Sequence, residues 1–405
     1  MPAQKCSSKY IPVKLHGLTP MASSLAGFRN GAKPCTECHS SPLLRTGHSG
    51  TWVKTPQLLP YPANLLHRSP WNNFLRNNGY IGFAQNLKLK VLSDIAACCD
   101  FWQQYSSNAS IFDLWEVRNA FFSGYRYEPY FLILLQESAK NQEVLGILPL
   151  WFNSNPTFGK GASDYQKYVW FGSNWPEDNV FFVKNPQIIP LLLTAAPVPL
   201  ELACIKPLRE YDFLQDFPGF AKEEDKKYFL DLTHISTLDD FLVRLKKKKR
   251  YNLRRDRKRV SALGPQIDIN NMSQIEDMFR LSIERFRQKY PDDPNEHSAF
   301  EDERRRNVFR SLIANTGRYQ VRIISTIING QIEAVEFGLV YDKTYYAFNA
   351  GTHVSKYSGL GVFSNLLVIE DALKLGAQKI DFLESDNNWK DSWHFDYIYQ
   401  YQFTK

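Results

Sequence analysis

Lys356-Tyr357-Ser358-Gly359-Leu360-Gly361 opens the stretch whose reading decides the fold, and Lys379-Ile380-Asp381-Phe382-Leu383-Glu384-Ser385-Asp386-Asn387-Asn388-Trp389-Lys390 closes it. Between them, Val362, Leu366, Ile369 and Leu373 recur at the spacing of one helix face. Gly376 suits the left-handed position just past a helix C-terminus. Ser358, Gly359 and Gly361 therefore stand at the helix N-terminus, where unpaired amides and the positive end of the dipole face outward and glycine lets an anion approach. The aromatic run 345–349 reads as a strand before the turn, and 380–383 as a strand after the helix. A Gly-x-Gly turn by itself fits two roles, a phosphate cradle and a turn that permits tight packing, and both stay open at this point.

A second stretch with chemistry in it lies upstream. Leu238, Phe241, Leu242 and Leu245 define a helical face, with Ser236 and Asp239 as its expected capping box. Eleven of the sixteen residues 244–259 are Lys or Arg against one acid, Asp256. That segment carries +10 in a chain of net +7, so the remainder is slightly acidic and the positive charge is local. Arg250, Arg254 and Arg257 share one face suited to a phosphate or pyrophosphate, and Tyr251 beside them is placed to stack on a sugar or base. The same run is also readable as a solvated basic face, or as a nucleic-acid footprint, although no helix-turn-helix or finger pattern accompanies it.

The spacing of Lys356, Gly359 and Gly361 resembles the way acetyltransferases of the GNAT superfamily hold the pyrophosphate of acyl-coenzyme A, with Lys where Arg or Gln is usual. Asp381-Phe382-Leu383 followed by Trp389-Lys390 resembles the closing signature of the CelD-like branch of that superfamily, a branch related to the Fem peptidoglycan transferases. Trp389 stands where Tyr or Phe is common, and Glu384-Ser385 replaces the usual Arg-Gly. Lys248-Lys249-Arg250-Tyr251-Asn252-Leu253-Arg254 is similar to a helix of Fem-type and CelD-like transferases. In the first half, Gly146-Ile147-Leu148-Pro149-Leu150 and Ser163-Asp164-Tyr165 resemble two short CelD-like elements.

A chain of 405 residues, 43% hydrophobic and 14% aromatic, has the length and apolar content for two cores. No apolar run reaches the ~20 residues needed to span a bilayer, and the N-terminus lacks the apolar core of a signal peptide, so a cytoplasmic location is expected. Six cysteines do not make a disulfide framework at this size. Cys35-Thr36-Glu37-Cys38-His39 spells a haem-attachment motif, but it lies in a Pro-, Gly- and Ser-rich leader and is read as incidental; no metal is expected.

Residues 1–79 read as a poorly structured extension, 80–225 as an N-terminal domain and 226–405 as a C-terminal domain. Segment 111–118 reads as a short helix, while 129–136 and 144–152 read as strands. Trp175-Pro176-Glu177-Asp178-Asn179 sets two acids beside an aromatic, as a grip for a cationic or hydroxylated substrate or as a capping turn. In the second half, strands are expected at 228–232 and 266–269 and helices at 275–286 and 299–314. A hairpin is expected around Asn329-Gly330. This order looks like that of the acetyltransferase fold. The expected class is therefore α/β (α+β), two tandem GNAT acetyltransferase-like domains, each a mixed, mostly antiparallel sheet flanked by helices.

The resemblance implies acyl transfer from acyl-coenzyme A, as co-substrate, to an amine on a small-molecule, cell-envelope or polysaccharide precursor, with or without a phosphate. Lys356, Ser358, Gly359 and Gly361 would hold the donor. Arg250, Tyr251, Arg254 and Asp164 would meet the acceptor. Lys390 would act at the acyl-transfer centre; Asp381 would orient the amine, serve as base, or cap the Lys390 loop. Glu384, Asp386 and His394 are further candidates for proton transfer. A Fem-type enzyme drawing on aminoacyl-tRNA and acting on a peptidoglycan precursor is the nearest alternative, and nucleic-acid binding through 244–259 the non-enzymatic one.

Overall fold

Asn329 and Gly330 both take positive φ, 52° and 75°, the backbone that a two-residue turn needs to match strand twist. Ile328 and Gln331 pair across them, and the hairpin they close forms part of an eight-stranded sheet. The computed structural model describes residues 59–60, 69–80, 82, 87–137, 142–156, 165–384 and 389–405. Asp164, Asp386 and the 35–39 motif lie outside them, as does nearly all of the leader.

The strands are β1 (Leu59–Pro60), β2 (Leu87–Leu92), β3 (Pro129–Glu137), β4 (Gln142–Asn153), β5 (Lys167–Trp170), β6 (Phe182–Val183), β7 (Glu201–Ile205), β8 (Phe220–Asp231), β9 (Gln266–Ile269), β10 (Gln320–Ile328), β11 (Gln331–Tyr341), β12 (Thr344–Thr352), β13 (Lys379–Glu384) and β14 (Asp396–Thr404). The first sheet runs β1-β2-β3-β4-β5, with β6 also on β4; the second runs β7-β14-β8-β13-β12-β11-β10-β9. Among the described residues every pair of neighbouring strands is antiparallel except β12 with β13, which helix Leu360–Lys374 joins. That helix ends as its sequence demands, with Gly376 at φ 70°. The expected class, mixed α/β with two mostly antiparallel sheets flanked by helices, is the class observed.

Three local expectations shift. The box that starts helix Leu238–Arg244 is Thr237 with Asp240, one residue later than Ser236 with Asp239, because the Asp240 carboxylate accepts from the amides of both Ser236 and Thr237. Segment 111–118 is a 3-10 turn, Ile111–Asp113, an extended Leu114, and the start of helix Trp115–Tyr125. Helix 299–314 is likewise split, into a turn Ala299–Glu301 and helix Glu303–Ala314 capped by Asp302. The boundary expected between residues 225 and 226 falls inside β8, and β7, from the first half of the sequence, pairs in the second sheet. A change in composition marks where a segment's character changes, and a chain is free to cross between sheets before that point.

The halves share one apolar core, in which Phe112, Trp115, Phe121 and Phe171 join Phe309, Phe337 and Phe348. Helices Trp115–Tyr125 and Glu303–Ala314 meet closely at Gly124, where an added Cβ would lie 2.6 Å from the Arg304 carbonyl oxygen and 2.7 Å from Val308 Cγ2. Among the described residues no helix is long and apolar enough to cross a membrane. Because the obstruction at Gly124 is backbone, Gly124→Val is expected to cost roughly 1–3 kcal/mol, measured as a shift of the denaturant midpoint at unchanged slope.

Candidate active site

β8 is covered on both faces near its end: the neighbours Lys227 and Tyr228, whose side chains point to opposite sides of the strand, are 0% and 2% exposed. A buried ammonium demands counter-charge. Its Nζ lies 3.0 Å from Glu177 Oε2, 2.9 Å from Asp178 Oδ2 and 3.0 Å from Asp381 Oδ2. Burial alone would lower the lysine's pKa, but the three carboxylates hold it well above the usual value. One cation does not satisfy three acids equally. Burial pushes Glu177 up to about 7 against the pull of Lys227, whereas for Asp178 the lysine outweighs burial and keeps it below its ordinary range. The acids of segment 175–179 thus do grip a cation, the chain's own.

Asp381 also sets the backbone that follows it. Pairing of β13 with β8 slips between Asp381 and Glu384, and Leu383 sits at φ 60°, uncommon without a glycine. The Leu383 amide donates to Asp381 Oδ1 at 3.0 Å. Lys390, 7% exposed, turns its Nζ onto the carbonyls of Phe382, Leu383 and Glu384 at 2.7, 3.1 and 3.1 Å. Asp381 and Lys390 therefore converge with Glu384, as the sequence pattern suggests, but both hold the bulge that re-aims Glu384.

Glu384 points to a small acidic chamber. Its amide donates to Glu177 Oε1 at 2.7 Å, linking it to the lysine cage. Its carboxyl is pushed up to about 8, first by burial and then by the bond and charge of Glu223. Burial raises Glu223 as well. Cys204, at φ 54°, donates its amide to Glu223 Oε1 at 2.7 Å and places Sγ 3.6 Å from Glu384 Oε2. Burial and the nearby carboxylates raise that thiol well above its normal pKa, so it stays protonated. A cavity of about 300 Å³ opens here, lined by Glu223, Glu224, Asp225, Glu384 and Gln402. Where the sequence suggested no metal pattern, Cys204, Glu223 and Glu384 bring ligand atoms within 4.8 Å of one another. Neither Cys204 nor Glu223 stood out in the sequence, because they come from strands remote in the chain and belong to no motif.

The parallel strands β12 and β13 pair over only three positions, Thr344 with Lys379 to Tyr346 with Asp381, and then part. The first half reaches the place where they part: Phe112 stacks on Phe348 at 5.6 Å, Trp175 meets Phe348 at 5.2 Å, and the Ile111 amide donates to the Tyr346 hydroxyl at 3.4 Å. Glu384 ends one strand and the glycine turn follows the other.

At that turn Gly359 has φ 92°, and a Cβ there would lie 3.0 Å from Asp256 Cβ, so close packing against helix Lys247–Ser261 is one reason for the glycine. A Cβ on Gly361 would meet only Val354 Cγ1 at 3.6 Å, which leaves space over the first-turn amides. Lys356 turns away, to Glu333 and to Gln331. The cation at the turn is Arg259, whose Nη1 donates to Ser358 Oγ at 2.7 Å. It was legible only as one of eleven basic residues. The other basic-helix candidates face elsewhere: Arg250 donates to the Val243 carbonyl, Arg254 pairs with Asp239, Arg257 with Glu370, and Tyr251 is exposed. Lys249 reaches Ser392 Oγ at 2.8 Å, so one helix borders both the glycine turn and the Lys390 segment.

With this geometry in view, residues 247–391 match the family model described as an acetyltransferase (GNAT) domain. No curated protein matches the sequence. Among solved structures, FemX is 11% identical, covering 76% of this chain and 96% of its own, with a TM-score of 0.49. A conserved protein of unknown function from Bacteroides thetaiotaomicron is 13% identical over 78% and 99%, at 0.48. A tandem GNAT protein from the clavulanic acid biosynthesis pathway is 10% identical over 78% and 97%, at 0.46.

Replacing Lys390 by Met strands three buried carbonyls around a left-handed Leu383. The expected loss is roughly 2–4 kcal/mol in chemical denaturation, with Lys390→Arg less harmful than Lys390→Met.

Proposed function

We propose that the chain, whose residues 247–391 match the acetyltransferase (GNAT) model, is an acyltransferase that moves an acyl group from acyl-coenzyme A to an amine-bearing acceptor bound in the acidic cavity, with Glu384 as the base. The acceptor class is a small molecule or a cell-envelope or polysaccharide precursor. The observation that carries the reading is the bulge at Phe382-Leu383, which Asp381 and Lys390 hold and which aims Glu384 at the chamber.

An amine enters water as an ammonium ion, and Glu223, Glu224 and Asp225 attract it. Glu384 in its ionised form takes a proton from the nitrogen. The nitrogen forms its bond to the thioester carbonyl and gives up its second proton to solvent, the carbon–sulfur bond breaks, and the sulfur leaves as thiolate and is protonated from solvent. Cys204 stays a thiol and takes no acyl group. The amides of the first turn after Gly359, with Arg259 beside Ser358, are the proposed pyrophosphate subsite. Lys356, bound to Glu333, contributes less there than the motif suggests. In this reading Asp381 and Lys390 are positioning residues, and 80–225 acts as a second, acetyltransferase-like domain that closes the site with Phe112 and Trp175.

The experiment is to mix purified protein with acetyl-coenzyme A and a panel of amines and follow thiol release. Because Glu384 must lose its proton to act, the rate at saturating donor is expected to climb with pH through about 8. Glu384→Gln should cut kcat by roughly a hundredfold or more and flatten that climb. Arg259→Ala should raise KM for the donor several-fold with little change in kcat. Absence of thiol release, together with aminoacyl transfer from charged tRNA, would replace the donor and favour the Fem-type reading.

A further inference from the structure

The arginines and the lysines of the basic helix have separate fates. Arg254, Arg255, Arg257 and Arg259 are tied to Asp239, Asp256, Glu370 and Ser358, and Arg250 to a backbone carbonyl. Lys246, Lys247, Lys248 and Lys258 are exposed, and among the described residues no carboxylate pairs with them. At 100° per residue, Lys247, Lys248, Tyr251 and Lys258 fall within an arc of about 100° on the solvent side, opposite Leu253 and Val260. Exposed apolar side chains accompany it: Tyr251 within the helix is 66% exposed, Val243 in the preceding helix Leu238–Arg244 is 56% and Leu263, just past the helix end, is 42%.

From this arrangement we infer that the outer face of helix Lys247–Ser261 docks the protein on an anionic lipid surface. Lysine ammonium groups are compact point charges suited to a diffuse field of headgroups, and a membrane-surface helix pairs such charges with apolar side chains that enter the interface. Nucleic acid is the less fitting partner. Phosphate reading favours the arginine fork, which is occupied here, and Val243 and Leu263 gain nothing from a polar backbone or a base edge. The carboxylates near this face, Asp239 and Asp256, are already paired with arginine and do not cancel the lysine charge.

The test is co-flotation of the full chain with phosphatidylcholine vesicles, with and without phosphatidylglycerol, at low and high salt. Binding is expected only with phosphatidylglycerol, and salt should weaken it. The combined variant Lys246→Gln, Lys247→Gln, Lys248→Gln, Lys258→Gln should bind at least about tenfold more weakly, and Tyr251→Ser several-fold more weakly at constant charge. Unchanged thermal unfolding of both variants shows that the fold is retained. Absence of phosphatidylglycerol-dependent flotation overturns the inference, as does equal flotation of the charge variant. Salt-sensitive retention of a short RNA by the wild type, lost in the charge variant and without vesicle binding, assigns the face to nucleic acid and overturns it too.

Discussion

A single ammonium group, Lys227, holds the centre of this molecule. It is fully buried in β8, and its three carboxylates come from two places in the chain: Glu177 and Asp178 from a loop of the first half, Asp381 from β13. Taking a charge out of water is expensive, and removing one partner from such a cluster leaves another uncompensated. The cage therefore ties the loop that carries Trp175 to the strand that carries Glu384. Glu384 and Glu223 sit within a few residues of that tie in the sequence, whereas the glycine turn at Gly359 lies apart from it.

The chemistry grows from what the cage leaves unbalanced. Asp178 keeps its charge beside Lys227, Glu177 is driven toward neutrality, and the Glu384 carboxyl lies buried beside Glu223 and the Cys204 thiol. Its raised pKa follows from burial and then from its acidic neighbours. Strict two-residue alternation would put Asp381 and Glu384, three apart, on opposite faces; the bulge in β13 pairs them with Phe229 and Lys227, two apart on β8, and so keeps Glu384 on the side of the cage. Lys390 serves this backbone with three hydrogen bonds, which explains why a basic residue there is buried.

Much of the second half was legible because its signals are local. Asn329-Gly330 dictates a turn through φ alone, and Val362, Leu366, Ile369 and Leu373 with Gly376 dictate a helix and its stop. The capping box moved by one residue because two adjacent hydroxyl and acid pairs compete, and the choice depends on which carboxylate reaches two amides at once. Lys356 was the motif's natural cation at the glycine turn, yet the buried Glu333 takes it. Arg259 arrives instead from a helix about a hundred residues earlier. Asp381, Glu384 and Lys390 stood out through their spacing after a strand, but spacing is silent on which way each side chain faces.

By itself the sequence determined most elements of the C-terminal segment and the motif that its family model matches, since periodicity, glycine φ and short spacings act between residues close in the chain. Only the tertiary structure decided the site. Lys227, Cys204 and Glu223 carry no motif, and their importance arises from burial: whether a charge is solvated or must be matched depends on residues brought from far along the chain. The same physics separated the basic helix into arginines bound to acids and lysines left to solvent, a division that composition, which counts both as positive, does not contain.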